Sequence, residues 1–148
     1  MKKINPFVVV RIMLGLLFVV SGFEKVTHPY QNFLYVVQSY EIFNSSLEKF
    51  IAQVLPWVEF FIGIFLILGF WLRMALKGFM VMMVAFIFIV AQALVRQLPI
   101  LECGCFGELI SFPLHVTLFF DVMLLFCAGL LWLGFEKTSQ FSLDNRFQ

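Results

Sequence analysis

Residues 6–26 read PFVVVRIMLGLLFVVSGFEKV, and this stretch decides the fold. It stays apolar long enough to cross a bilayer as a helix, which takes about 20 residues. Within it Arg11, Gly15, Phe18, Gly22 and Lys25 recur at intervals of three and four, so helical geometry stacks them on one face. Gly15 and Gly22 thin that face and let a neighbouring helix come close. Its cations admit two readings: Arg11 and Lys25 snorkel toward opposite membrane surfaces, or Lys25 is committed to a functional ion pair. The stretch follows Met1-Lys2-Lys3, as a secretory leader would. Its length, its Arg11 and the lack of a small-x-small cleavage site predict a retained first helix instead.

Composition extends this reading to the whole chain. Of 148 residues 62% are hydrophobic and 13% charged, with a mean hydropathy of +0.99. A soluble domain is typically about half apolar and one quarter charged. A soluble interior cannot take up this much apolar surface, so lipid must act as part of the solvent. The formal net charge is +1 and no basic block is present, which argues against nucleic acid as a partner. The expectation is one domain over residues 1–148, an all-α integral membrane protein built as a four-transmembrane-helix bundle.

Helices are expected at about 6–26, 55–72, 75–95 and 113–135. Pro56 suits the first turn of the second, where a missing amide costs nothing. A tight turn around Arg73 and Lys77 leads to the third. Between the first two helices, Tyr30, Phe33, Val36, Val37 and Tyr40 stand at helical spacing among polar residues. That segment is too polar to span and reads as an interfacial amphipathic helix, and Asn44-Ser45-Ser46 forms a turn and cap before Leu47. Residues 136–148 are expected to be a polar, mobile tail.

Lysine and arginine counts orient the bundle. Lys2, Lys3, Arg11, Arg73, Lys77, Lys137 and Arg146 fall on one side, and Lys25, Lys49 and Arg96 on the other. Both termini are therefore expected on the cytoplasmic side of a bacterial inner membrane. The segment between the third and fourth helices then faces outward, into an oxidising compartment.

That segment contains Glu102-Cys103-Gly104-Cys105-Phe106-Gly107. Two thiols separated by one glycine are poorly explained as packing. A disulfide needs Cα atoms about 4.4 to 6.8 Å apart, and a tight turn through Gly104 and Gly107 can supply that. So short a ring is strained, and strained disulfides are labile and oxidising. Two other readings stand beside a redox pair. The loop can be an inert structural clip, or it can bind metal through Cys103, Cys105 and His115, for which a fourth ligand is not evident beyond Glu102 or Glu108. Cys127 lies about 20 Å along the last helix and reads as a small hydrophobe.

At similar depth the topology places Lys25, Glu59, Gln92, Arg96, His115 and Asp121. A carboxylate in the bilayer costs about 2.5 kcal/mol or more, so Glu59 and Asp121 should face the bundle and be paired or protonated, with Lys25 or Arg96 as counter-charge. They either fix helix order as buried ion pairs or relay protons beneath the thiols. A small-solute transporter using Glu59 and Asp121 is a further alternative, weakened because no internal repeat is evident.

Three motifs carry a family resemblance: Arg11-x-x-x-Gly15-x-x-Phe18-x-x-Ser21-Gly22-x-x-Lys25, Pro56-x-x-Glu59-x-x-x-Gly63, and Cys103-Gly104-Cys105-Phe106-Gly107. Together they resemble the DoxX-like membrane proteins, in particular their MauE-type branch. The resemblance implies a four-helix bundle similar to the quinone-linked disulfide-forming proteins. It implies Cys103 and Cys105 as the redox pair, with Phe106 and Gly107 shaping the turn. MauE itself is linked to maturation of methylamine dehydrogenase, whose small subunit is rich in disulfides. Quinone-linked generators normally carry two cysteine pairs, and this chain has one. The resemblance therefore implies a membrane thiol–disulfide redox protein that uses a thioredoxin-like extracytoplasmic partner or passes electrons directly to an acceptor such as quinone. The competing class is a non-enzymatic membrane subunit or scaffold.

Overall fold

The structure is a computed structural model and describes residues 5–98 and 113–139. The described residues form six helices: α1 (Pro6–Thr27), α2 (Tyr30–Ser39), α3 (Ser45–Leu68), α4 (Leu72–Val95), α5 (Leu114–Leu133) and α6 (Phe135–Thr138). Four of them, α1, α3, α4 and α5, are long and apolar enough to cross a membrane. They alternate in direction, so the α1 C-terminus, the α3 N-terminus, the α4 C-terminus and the α5 N-terminus share one end of the bundle. Short α2 lies between the first two spans and packs mainly on α3, and it is the expected amphipathic segment.

The interface between α1 and α3 is the largest among the described residues. Glycine makes it possible. A Cβ added to Gly22 would lie 2.6 Å from the Phe60 amide nitrogen, and one added to Gly63 would lie 2.7 Å from the Gly15 carbonyl oxygen. The two backbones touch, as small residues allow in membrane helices. The predicted face of α1 is the buried one: Arg11, Gly15, Phe18, Gly22 and Lys25 all point inward.

The core runs between the spans. Phe18 of α1 meets Phe79 of α4 with ring centroids 4.3 Å apart, among Leu66, Leu72, Leu76, Met83, Leu124 and Ala128. A smaller cluster of Tyr40, Val90, Ala93 and Leu114 ties α2 to the ends of α4 and α5. The outward faces carry Val81, Phe88, Phe119 and Phe126, each at least 65% exposed. Such apolar surface is what lipid covers, because a helix satisfies its own backbone in hydrocarbon.

Four expectations are corrected. The second span starts at Ser45, not near Leu55, capped by the Asn44 side chain, which accepts from the Ser45 amide at 2.9 Å. Pro56 therefore sits inside the helix, and membrane helices tolerate this where neighbouring groups occupy the freed backbone. The turn between α3 and α4 falls at residues 69–71, and Arg73 and Lys77 lie within α4, which begins at Leu72 rather than 75. Gly69 takes the left-handed conformation that ends α3, with φ 66°. Arg11 does not snorkel: it is 1% exposed, and its Nη1 donates to the Thr138 carbonyl oxygen at 2.7 Å. The described part of the expected tail is accordingly ordered as α6, with Thr138 fully buried.

Candidate functional site

Where α1 crosses α3, the structure assembles a buried polar group. The Lys25 ammonium lies 2.7 Å from Glu59 Oε2, and both side chains are 2% exposed. Lys25 also donates to the Ser21 hydroxyl at 2.8 Å, and that hydroxyl donates to Glu59 Oε2 at 3.3 Å. The face of the Phe33 ring, from α2, lies 5.4 Å from the ammonium.

Local geometry explains the arrangement. Ser21 and Lys25 are one turn apart on α1, so both reach the same carboxylate. On α3, Pro56, Glu59 and Gly63 share the face toward α1. The Pro56 carbonyl oxygen would lie 2.8 Å from a Cβ on Gly22. The glycines thus set the helix spacing that lets Lys25 reach Glu59. A buried ion pair is tolerated only with close geometry and added hydrogen bonds, and Ser21 supplies them. Glu59 lies about four turns into α3, because α3 begins at Ser45 rather than near Leu55.

Two spaces border the lysine. A cleft of ≈ 170 Å³ is lined by residues that include Lys25, His28, Tyr30, Gln53, Pro56 and Trp57. A smaller void of ≈ 50 Å³ is lined by Lys25 together with apolar residues of α2, α3 and α4 such as Phe33, Val36, Leu55 and Phe86. The first is partly polar and rimmed by aromatic residues suited to headgroup depth. The second is apolar apart from Lys25 and Tyr40. Lys25 therefore borders both a polar cleft and a largely apolar void.

Of the other expected site residues, Arg96 and His115 lie apart from this group. Asp121 is 1% exposed and shares the buried face of α5 with Thr117 and Leu124. Gln92 is half-buried in the last turns of α4, and its buried Oε1 has no hydrogen-bond partner among the described residues. The same holds for Glu59 Oε1. Arg96 is not a counter-charge for Glu59. It is exposed at the end of α4 and pairs with Glu41 at 3.4 Å. His115 is exposed in the first turn of α5 and does not join the polar group.

Cys103, Gly104, Cys105, Phe106 and Gly107, with Glu102 and Glu108, lie outside the described residues. Among the described residues, no cluster of three His, Cys, Asp or Glu side chains is placed to hold a metal ion. Cys127 is a free thiol packed against the core, as a small hydrophobe would be. Sequence reasoning missed Ser21 as a site residue in its own right. The available signal was its position one turn before Lys25 on the glycine-bearing face.

Fold and site together define a multi-pass helical membrane protein with a buried lysine–glutamate pair at the crossing of its first two spans. A family model described as "Methylamine utilisation protein MauE" matches residues 4–134. The chain belongs to the MauE family. Neither a curated protein nor a solved structure matches it.

Proposed function

We propose that this MauE-family protein is a membrane thiol–disulfide redox protein in which Cys103 and Cys105 form the exchanging pair. The observation that carries the reading is the Cys-Gly-Cys sequence in the segment between α4 and α5. That segment joins helix ends on the same side of the bundle as Lys25 and the cleft beside it.

The exchange balances without a further reactant. A thiolate of the pair attacks a partner disulfide, forming a mixed disulfide and releasing one partner thiolate. The second cysteine then attacks its neighbour's sulfur, closing the Cys103–Cys105 disulfide and releasing the second partner thiolate. Two electrons pass to the partner, and two protons move with the thiols. The reverse sequence oxidises a partner dithiol. In that direction the reduced pair must be reoxidised, and a membrane quinone would supply the two-electron, two-proton acceptor. Glu59, whose Oε1 has no hydrogen-bond partner among the described residues, is the carboxylate we assign to proton handling, with Lys25 and Ser21 holding it in place. We assign Gln92 and Asp121 as further polar support for the same proton path, with Arg96 and His115 at the helix ends that flank the cysteine segment in sequence.

The exchange partner we assign is an extracytoplasmic, thioredoxin-like protein. The family description places its members in methylamine utilisation, and we extend that setting to this chain. The Lys and Arg count of the sequence supports an orientation: Lys2, Lys3, Arg11, Arg73, Lys77, Lys137 and Arg146 on one side against Lys25, Lys49 and Arg96 on the other. In our reading the Lys- and Arg-rich side is cytoplasmic and the cysteine segment faces outward from a bacterial inner membrane. Residues 1–148 act as one domain in this reading.

Mixed-disulfide trapping tests the proposal. Cys103→Ala or Cys105→Ala should accumulate a covalent complex with a periplasmic protein, sensitive to reductant. A double Cys→Ser protein that retains full function in cells would instead make the loop a clip in a scaffold.

A further inference from the structure

The end of the bundle remote from Lys25 carries a second feature that thiol exchange does not use. The Arg73 guanidinium lies over the Phe135 ring at 5.0 Å, Lys77 over Trp132 at 5.5 Å and Lys137 over Phe7 at 5.8 Å. These rings adjoin one another. Trp132 and Phe135 have centroids 6.2 Å apart, and the Phe7 ring sits on Gly134, where an added Cβ would come within 2.6 Å of it. Cations from α4 and α6 therefore gather around one point, the α5–α6 junction.

All three cations are exposed. The Lys25–Glu59 and Arg96–Glu41 ion pairs lie away from this junction. Stacking on a ring holds a cation in place through the ring quadrupole while leaving its N–H donors available to an outer partner. Arg11 is buried beneath and fixes α6 through the Thr138 carbonyl, so the platform under Lys137 is anchored to α1. Trp71, 64% exposed at the turn before α4, and Trp132 are residue types that settle at headgroup depth.

We propose that this rim is a binding site for the headgroup of an anionic phospholipid. Arg73 and Lys77, one turn apart on α4, take the phosphate, and Lys137 approaches from α6. Arginine's planar fork matches phosphate oxygens, and lysine adds a point charge. The exposed apolar flanks of α4 and α5 lie against the acyl chains, which a free phosphate lacks. The site does not depend on the thiol pair.

Native mass spectrometry of the full chain, titrated with phosphatidylglycerol or phosphatidylcholine, tests the assignment. The native protein is expected to retain phosphatidylglycerol in preference to phosphatidylcholine. Each neutralised cation should lower that affinity about fivefold, so Arg73→Gln with Lys77→Gln should largely abolish the preference. Lys49→Gln, at the opposite end, should leave it unchanged. A second measurement needs no variant: phosphatidylglycerol should raise the unfolding temperature of the detergent-solubilised protein more than phosphatidylcholine does. Equal retention of the two lipids, an unchanged preference in the double variant, or equal stabilisation by inorganic phosphate would each overturn the proposal.

Discussion

Lys25 and Glu59 meet across the α1–α3 crossing at 2.7 Å, with both side chains almost wholly removed from solvent. The relationship depends on glycine as much as on charge. Gly15, Gly22 and Gly63 bring the two backbones into contact, and only at that spacing does the lysine reach a carboxylate level with Ser21.

Removing one partner leaves the other charged and buried, which typically costs about 3–5 kcal/mol. Lys25→Met and Glu59→Leu should each lower stability by that order. The double variant should recover most of the loss, because paired replacement by apolar groups is close to neutral. Chemical unfolding of the solubilised protein followed by circular dichroism measures all three. If Glu59 handles protons, the double variant should be folded and yet slow in thiol cycling.

The glycines give a steric prediction. Gly22→Leu and Gly63→Leu place side chains where a Cβ alone is already within 2.7 Å of backbone atoms. Both should separate α1 from α3 and lower the unfolding temperature sharply. Gly129→Ala is the control, since no atom lies within 4 Å of an added Cβ there. It should be neutral or stabilise by up to about 1 kcal/mol through helix propensity.

Arg11 makes the C-terminal turn part of the bundle. Its guanidinium donates to the Thr138 carbonyl, while the Thr138 hydroxyl donates to the Leu131 carbonyl at 2.9 Å. Deleting residues 135–148 should destabilise the protein by exposing or stranding that cation. Arg11→Met in the truncated chain should restore part of the loss. Thermal unfolding of the three proteins distinguishes this from a tail that contributes nothing, for which truncation would have no effect.

The surface pair is expected to behave differently. Arg96 and Glu41 are 41% and 65% exposed and 3.4 Å apart. Exposed pairs contribute about 0–1 kcal/mol, so Arg96→Gln should barely move the unfolding temperature, and high salt should erase even that.

Much of the bundle was legible because hydrophobic length and helical periodicity are strong signals. The shared face of Arg11, Gly15, Phe18, Gly22 and Lys25 followed from spacing alone, and so did the amphipathic segment that became α2. The start of α3 was legible only in its cap, Asn44, and not as the beginning of the second long helix. Ser45, Glu48, Lys49 and Gln53 make its first turns polar, and Pro56 mimics an N-terminal signal, whereas tertiary packing carries the helix straight through the proline. Arg11 was misread for a related reason. A sequence shows a cation near a membrane surface, but not that Thr138, 127 residues later, brings a carbonyl to it. Glu59 and Lys25 were recognisable as a potential pair because a carboxylate at that depth demands a partner. Ser21 was harder to see, since a serine on a glycine-bearing face usually serves close packing.

The most direct test of the redox assignment is the thiol state of Cys103 and Cys105 in membranes, read by gel-shift alkylation after mild oxidant or reductant. Cys127→Ser removes the third thiol from the signal. A redox pair should move two alkylation equivalents together, reversibly, between oxidised and reduced forms. A pair that stays fully reduced or fully oxidised under every condition would contradict thiol exchange and leave the cysteine segment a structural element of the membrane bundle.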